Sequence, residues 1–321
     1  MRTALSRLSS LLSCLLVAAL AVLVTPAIAQ ADTEPLPVPW SLAAAVPAQL
    51  AAPNSPPPGA NDWDCEPSEQ HPNPVVLVHG LGANQTVNWQ TFSPLLANEG
   101  YCVFSLTYGV PGDPLPVYQP GGLLPMERSA EELATFVDRV LASTGAATVD
   151  ILGHSEGTLM PSYYVRFLGG ESKVDKYVSL TPLWQGTTLL GLSALYQHAK
   201  LFGLDKVVDG VLDPICGSCR QFLQGSDYLK KLHAKGIFAP EVQYTNIVTR
   251  YDEAVIPYTS GVAEAPNVHN VVLQEECGLD FAEHAAVAAD PVAAGHVLNA
   301  LDPADPEPVP CVLVTPLGAA R

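Results

Sequence analysis

The chain is 321 residues long, 48% hydrophobic and only 15% charged, which supplies apolar material for one sizeable core and excludes a disordered or fibrous protein. Its 32 acidic against 15 basic residues leave a formal charge of −17, so a phosphate backbone or an anionic membrane would repel it. Nucleic-acid binding is set aside on that ground.

Arg2 and Arg7 precede an apolar run from Leu11 to Val24, closed by Ala27-Ile28-Ala29. A basic start, a short apolar stretch and an A-x-A close describe an export leader over residues 1–29. The run falls short of the roughly 20 apolar residues that a spanning helix needs. The chain is therefore expected to be secreted, with cleavage near Ala29. Cys14 lies inside the leader, so of the seven cysteines six remain: Cys65, Cys102, Cys216, Cys219, Cys277 and Cys311. An even number in an exported chain reads as a set of disulfides. Cys216-Gly217-Ser218-Cys219 is read as a structural clip, because a single such pair offers too few ligands for zinc and no redox-domain pattern surrounds it. Proximity along the expected fold favours Cys65–Cys102 and Cys277–Cys311, the second fastening the C-terminal tail. Residues 30–62 are thick with proline and alanine, including Pro56-Pro57-Pro58, and show no sustained periodicity. They read as an extended arm or linker ahead of a folded domain over 63–321, which begins near Trp63 and Cys65.

From there strand-like and helix-like segments alternate, the pattern of a mostly parallel sheet with helices on both faces. Val75 to Val78 reads as a buried strand ending at His79-Gly80. Trp89 to Asn98 suits a short helix, Cys102 to Leu106 a strand, and Met126 to Leu141 a helix with apolar spacing in Leu133, Phe136, Val137 and Val140. Thr148 to Leu152 enters a strand again, and a helical run follows from Thr158 to Leu168.

Between that strand and that helix stands Gly153-His154-Ser155-Glu156-Gly157, a G-x-S-x-G nucleophile elbow in its required context. A serine on so sharp a turn is strained, and glycine at Gly153 and Gly157 lets neighbouring backbone pass close by. The bare pattern also occurs as an ordinary glycine-rich turn, so the rest of the constellation matters. Acyl chemistry needs two backbone N–H groups aimed at the developing oxyanion, each worth about 3 kcal/mol. Glu156 N–H, directly after the nucleophile, is one candidate. Leu81 N–H, in His79-Gly80-Leu81-Gly82 after the first core strand, is the other.

The serine needs a base, which in this order of elements follows a carboxylate near the C-terminus. Of the eight histidines, His71, His79 and His154 precede Ser155, while His198 and His233 lie in a middle insertion. His269 opens the strand Val268 to Leu273, and His296 falls in a helical run from Ala285 to Leu301. His284 hangs after the loop that follows a core strand, and is the expected base. Val242 to Thr249 reads as a strand ending at Arg250-Tyr251-Asp252-Glu253, which nominates Asp252 as the acid. Glu253 and Asp280 are its rivals, and Asp280 is more simply a local cap.

His79-Gly80-Leu81 with Asn84 and Trp89, the elbow with Thr158, Thr249 to Glu253 with Pro257-Tyr258, and Glu283-His284 followed by Asp290-Pro291 together resemble the exported bacterial class 2 lipases. The resemblance spans about Trp63 to the C-terminus. It implies an α/β-hydrolase fold and a triacylglycerol lipase or esterase using Ser155, Asp252 and His284. Leu81 stands where some members carry a small hydroxyl residue, so a third oxyanion bond from such a side chain is not available.

An insertion at about 183–240 carries an apolar helical face in Leu189, Leu190, Leu192, Leu195, Tyr196, Leu201 and Phe202. It is either a cap that shapes an acyl-chain site or a cap packed permanently on the core. The expected reaction is hydrolysis of a lipid or other carboxylic ester through an acyl-enzyme. No cofactor or metal is called for, and the chain is expected to act as a monomer with at most transient contact to a lipid interface. An acyltransferase would use the same residues, and a non-catalytic surface protein on this fold is the third class.

Overall fold

The computed structural model describes residues 34–112, 118–188 and 215–319, together with Gly210. The leader read over 1–29 and the apolar face from Leu189 to Phe202 lie outside the described residues.

Six strands form one parallel sheet: β1 (Val75–Val78), β2 (Val103–Leu106), β3 (Val149–His154), β4 (Val174–Leu180), β5 (Gln243–Val248) and β6 (Val268–Val272), in the order β2-β1-β3-β4-β5-β6. β1 shows why the sheet needs helices on both faces. All four of its valines and leucines are fully buried. Val76 and Val78 join a cluster with Phe104, Ile151, Leu133, Val137 and Leu159, whereas Val75 and Leu77 join Phe92, Leu96, Val292 and Val297 on the other face. Alternating side chains thus feed two separate cores, which is what an uninterrupted apolar strand must do. The first face is covered by α4 (Met126–Thr144), α5 (Glu156–Phe167) and α6 (Asp227–Lys235), the second by α3 (Phe92–Asn98), the short α7 (Leu273–Glu276) and α8 (Pro291–Leu301). α4 ends where Gly145 takes φ 70° and returns its N–H to Leu141 O, a left-handed cap.

Three expectations are corrected by the structure. The stretch expected as an arm before Trp63 is part of the compact unit from Leu36 onward and contains a helix, α1 (Ala45–Ala51). It docks through its backbone: Asn54 O accepts from Gln85 Nε2 (2.7 Å), Ser55 O from Thr86 Oγ1 (2.6 Å) and Pro58 O from Ser93 Oγ (2.8 Å). Asn61 then pairs the outer edge of β2, with Ser105 N donating to Asn61 Oδ1 at 2.7 Å and Asn61 N donating to Val103 O at 2.9 Å. Such docking leaves no periodicity in the sequence because backbone carbonyls make much of it, and the apolar side chains that join in, Trp40, Leu42 and Ala60, are irregularly spaced. It also covers a sheet edge that would otherwise be open. The helix expected over Trp89 to Asn98 starts later, as α3 at Phe92, and a separate short helix, α2 (Gln85–Asn88), precedes it. The helical run expected from Ala285 to Leu301 breaks at Asp290-Pro291, giving a 3-10 turn (Ala286–Ala289) and then α8. Asp290 caps α8 by accepting from Val292 N at 2.7 Å, and Pro291 sits at the one helical position where a missing N–H costs nothing.

Cystine bridges join Cys65 to Cys102, Cys216 to Cys219 and Cys277 to Cys311, with Cα separations of 5.8, 5.4 and 5.2 Å. The first ties the segment before β1 to the start of β2, and the last holds the tail over the loop before His284. A thiol titration of the unfolded, unreduced mature protein is expected to find no free cysteine; one reactive thiol at any of these six positions would break the scheme. Reduction of the two long-range bridges should lower the melting point, since each closes a loop worth about 2–4 kcal/mol.

Candidate active site

β3 delivers Ser155 and α5 begins at the next residue. Ser155 has φ 55° and ψ −121°, a conformation that side chains avoid. What holds it there is backbone packing. A Cβ on Gly153 would stand 2.1 Å from Gly157 O, and one on Gly157 would stand 2.0 Å from Val78 O, so neither position tolerates any other residue. Ser155 N donates to Leu180 O at 3.0 Å, and Thr158 donates twice to Ser155 O, from N (2.8 Å) and Oγ1 (2.7 Å). The Ser155 side chain makes no helix cap, which leaves Oγ free to face outward.

It faces His284. Nε2 of His284 lies 2.8 Å from Ser155 Oγ, and Nδ1 lies 2.9 and 3.0 Å from the two carboxylate oxygens of Asp252. Asp252 Oδ1 also accepts the N–H groups of Ala254 (3.0 Å) and Val255 (2.7 Å), so the carboxylate is anchored as an anion. The Asp252 side chain is 2% exposed and that of His284 12%, which seals the acid and leaves the imidazole a path to substrate. With Nδ1–H given to Asp252, Nε2 is the acceptor for the serine proton, the tautomer that general-base chemistry requires.

Leu81 and Glu156 line the same small cavity as Ser155 and His284, about 80 Å³ in volume, and Leu183, Phe222 and Val255 supply an apolar wall. A Cβ on Gly80 would lie 3.1 Å from Ser155 Cβ, so the loop before Leu81 passes directly against the elbow. Glu156 is the first residue of α5, where backbone N–H groups have no partner within the helix and point toward incoming negative charge. Among the described residues no group of three or more His, Cys, Asp or Glu side chains is arranged to hold a metal ion.

The rival groups are placed elsewhere. Asp280 accepts from Ala282 N at 2.8 Å and lies beside the Asp290 carboxyl, and burial pushes both acids up, Asp290 well above the usual range. They form a turn-closing pair beneath the His284 loop. His296 is on α8, with its Nε2 buried. His71 stacks on Tyr101 at 3.9 Å, and His233 Nε2 lies 3.0 Å from Trp184 O. His198 is outside the described residues.

Further residues support the site, among them His154 and Asn88, for which the sequence suggested no role there. His154 Nε2 lies 3.0 Å from His284 O and its Nδ1 3.0 Å from Asn88 Oδ1, which in turn accepts from Gly80 N at 3.1 Å. The imidazole thus sits between the His284 loop and the Leu81 loop, its single N–H serving one of these two contacts. Thr249 Oγ1 donates to Ala282 O at 2.6 Å and Glu253 Oε2 accepts from His284 N at 3.3 Å, fixing the same loop from the other side. His154 occupies a variable position of the elbow motif, so its place in the chain was visible but its partners were not.

A serine raised on a strand-to-helix elbow at the edge of a parallel sheet, with a base and an acid arriving from later strands, defines the α/β-hydrolase class. The family model described as Lipase (class 2) matches residues 72–295, and the chain belongs to that family. The fold is similar to that of Aspergillus fumigatus lipase B, with 19% identity and a TM-score of 0.58, covering 79% of this chain and 57% of that one. It is also similar to Bacillus licheniformis lipase BlEst2 in its propeptide form, at 13% identity and a TM-score of 0.50, covering 81% of this chain and 55% of that one. The chain therefore spans little more than half the length of these two proteins.

Two outcomes follow from the geometry. Asp252→Asn should leave KM nearly unchanged and lower kcat by up to about ten-thousandfold, whereas Asp280→Asn should cost stability and little rate; steady-state kinetics on both variants checks the assignment of the acid. The second concerns His154, which burial lowers to about 3 from the ordinary 6.5. Below pH 6.5 the unfolded chain takes up a proton there that the folded chain refuses, so stability is lost as pH falls. Relative to wild type, His154→Gln should gain about 1.4 kcal/mol of unfolding free energy per pH unit between roughly pH 6 and 4. A difference that stays flat across that window would show the folded protein protonating His154.

Proposed function

We propose that this chain is a serine-dependent carboxylic ester hydrolase, and that its natural substrates are fatty-acid esters of the acylglycerol type. The single observation that carries the reading is the continuous chain of contacts from Ser155 Oγ to His284 Nε2 (2.8 Å) and from His284 Nδ1 to Asp252 (2.9 Å). In the proposed cycle, Ser155 Oγ attacks the ester carbonyl as its proton passes to His284 Nε2. The carbonyl electrons move to oxygen, where the N–H groups of Leu81 and Glu156 receive them. His284 returns the proton to the departing alcohol, and the acyl-enzyme is opened by a water that the same histidine deprotonates. Asp252 stays ionised throughout and stabilises the imidazolium. The apolar wall of Leu183, Phe222 and Val255 supports an acyl chain better than a polar acid, and two of its residues, Leu183 and Phe222, belong to the stretch 183–240. We propose further that the protein works after export, cleaved near Ala29; three cystine bridges fit an oxidising compartment.

Ser155→Ala is expected to abolish ester hydrolysis and labelling by a fluorophosphonate, with the circular dichroism spectrum and melting point nearly unchanged. Labelling that survives in the variant would place the nucleophile elsewhere. On p-nitrophenyl esters of graded chain length, kcat/KM should rise from acetate toward longer acyl groups; a maximum at acetate would remove the fatty-acid assignment and leave a short-chain esterase.

A further inference from the structure

The loop that carries Leu81 has no disulfide and little apolar packing of its own; Leu81 itself is 37% exposed. Its shape is imposed by a neighbouring glycine pair. Gly82 N donates to Gly121 O at 2.9 Å, and Gly121 N donates back to Ala83 O at 2.7 Å, so the two segments are bonded in both directions on the far side of Leu81. Gly121 fits only without a side chain, since a Cβ there would lie 2.6 Å from the His79 ring and from Tyr108 O. The glycine pair is held in turn by the Cys216–Cys219 loop. Ser218 Oγ donates to Gly122 O at 2.5 Å, and Gly217 N donates to Leu123 O at 2.7 Å.

Ser218 is completely buried, and its hydroxyl also lies 3.3 Å from Glu156 Oε2. The hydroxyl has one proton, and the short bond to Gly122 O uses it. The second contact therefore requires Glu156 to donate as a neutral carboxyl. Its surroundings agree: the carboxyl is enclosed, Oε1 has no hydrogen-bond partner, and burial pushes its pKa well above the carboxylate range. A Cβ on Gly122 would meet both Glu156 oxygens at 3.2 Å, so the carboxyl is packed directly against the glycine pair.

We propose that Ser218 and the Glu156 carboxyl are positioning residues for the oxyanion site, acting in the sequence Glu156, Ser218, Gly122, Gly121 and then the Leu81 loop, with the Cys216–Cys219 bridge holding Ser218 in place. The inference rests on the ester-hydrolase reading and assigns a role that the triad does not need. Residue Glu156 then serves twice: its backbone N–H faces the substrate oxygen, and its side chain braces the segment bearing the partner N–H. Because the brace touches no substrate, its loss should appear in the transition state and not in ground-state binding.

The test measures hydrolysis kinetics together with inhibition by an alkyl trifluoromethyl ketone, which adds to a serine as a tetrahedral oxyanion. Ser218→Ala is expected to lower kcat tenfold or more, to move KM less than about twofold, and to raise the inhibitor Ki by the factor lost from kcat/KM. Cys216→Ser with Cys219→Ser should give a similar loss, and adding Ser218→Ala to that pair should cost little more, because all three act through one contact. Glu156→Gln, which keeps a neutral donor, should recover most of the rate lost in Glu156→Leu. A lowered melting point with kcat and Ki unchanged in Ser218→Ala would overturn the proposal, as would fully multiplicative losses. So would a Gln variant as slow as the Leu variant. Wild-type protein that hydrolyses no ester would instead remove the functional reading, while trifluoromethyl ketone affinity would still report on the brace.

Discussion

Everything in the site depends on how closely α5 approaches β1. Gly157 sits with its Cα so near Val78 O that a methyl group would overlap it, and Gly153 is in the same position against Gly157 O. That contact forces the chain between them to turn within one residue, and Ser155 takes the strained conformation as a result. The strain is held by the core on the face of the sheet that α5 covers, since moving α5 outward would open contacts made by Leu159, Met160 and Tyr164 with the sheet. Burying such side chains is worth about 1.5–3 kcal/mol each, more than the roughly 1–3 kcal/mol that one unfavourable backbone conformation costs. An outward-facing hydroxyl at the sheet edge is therefore a consequence of packing several residues away.

The rest of the site is organised around fixing the two loops that meet that hydroxyl. The His284 loop is held by Thr249, Glu253 and His154, and its base is closed by the Asp280–Asp290 pair. The Leu81 loop is held by Asn88 through Gly80 and by the Gly121–Gly122 segment. His154 and His79 are lowered to about 3 and about 4 by burial, so the imidazoles beside these loops carry no charge at neutral pH, whereas His284 keeps a solvent-facing edge. In the proposed cycle, neutral groups can be buried next to the oxyanion and imidazolium without competing with them. Buried charges there would shift the balance between the two.

Much of this was legible in the sequence because its signals are local. The apolar runs of β1 and β3, the elbow between a strand and a helix, and the acid and base after later strands each leave a mark within a few residues. The parallel sheet follows from alternating elements, and the spaced motifs led to the family. The Pro/Ala-rich stretch misled for a physical reason. Much of its order comes from side chains of Gln85, Thr86 and Ser93 donating to its carbonyls, and carbonyls are the same in every residue.

What the tertiary structure decided was which distant groups share a contact. Ser218 and Gly122 are 96 residues apart, and His154 and His284 are 130 apart. Nothing in either local sequence distinguishes such a serine or histidine from a surface residue, because the information is in the partner. Asp252 and Asp280 are likewise equal as carboxylates on loops near His284. Only the path of the chain after β5 turns one toward the imidazole and the other toward Asp290. Local residue patterns set the kind of turn, the order of elements and the chemistry on offer. The fold decided which of those groups meet, since that depends on distances between segments that no local pattern encodes.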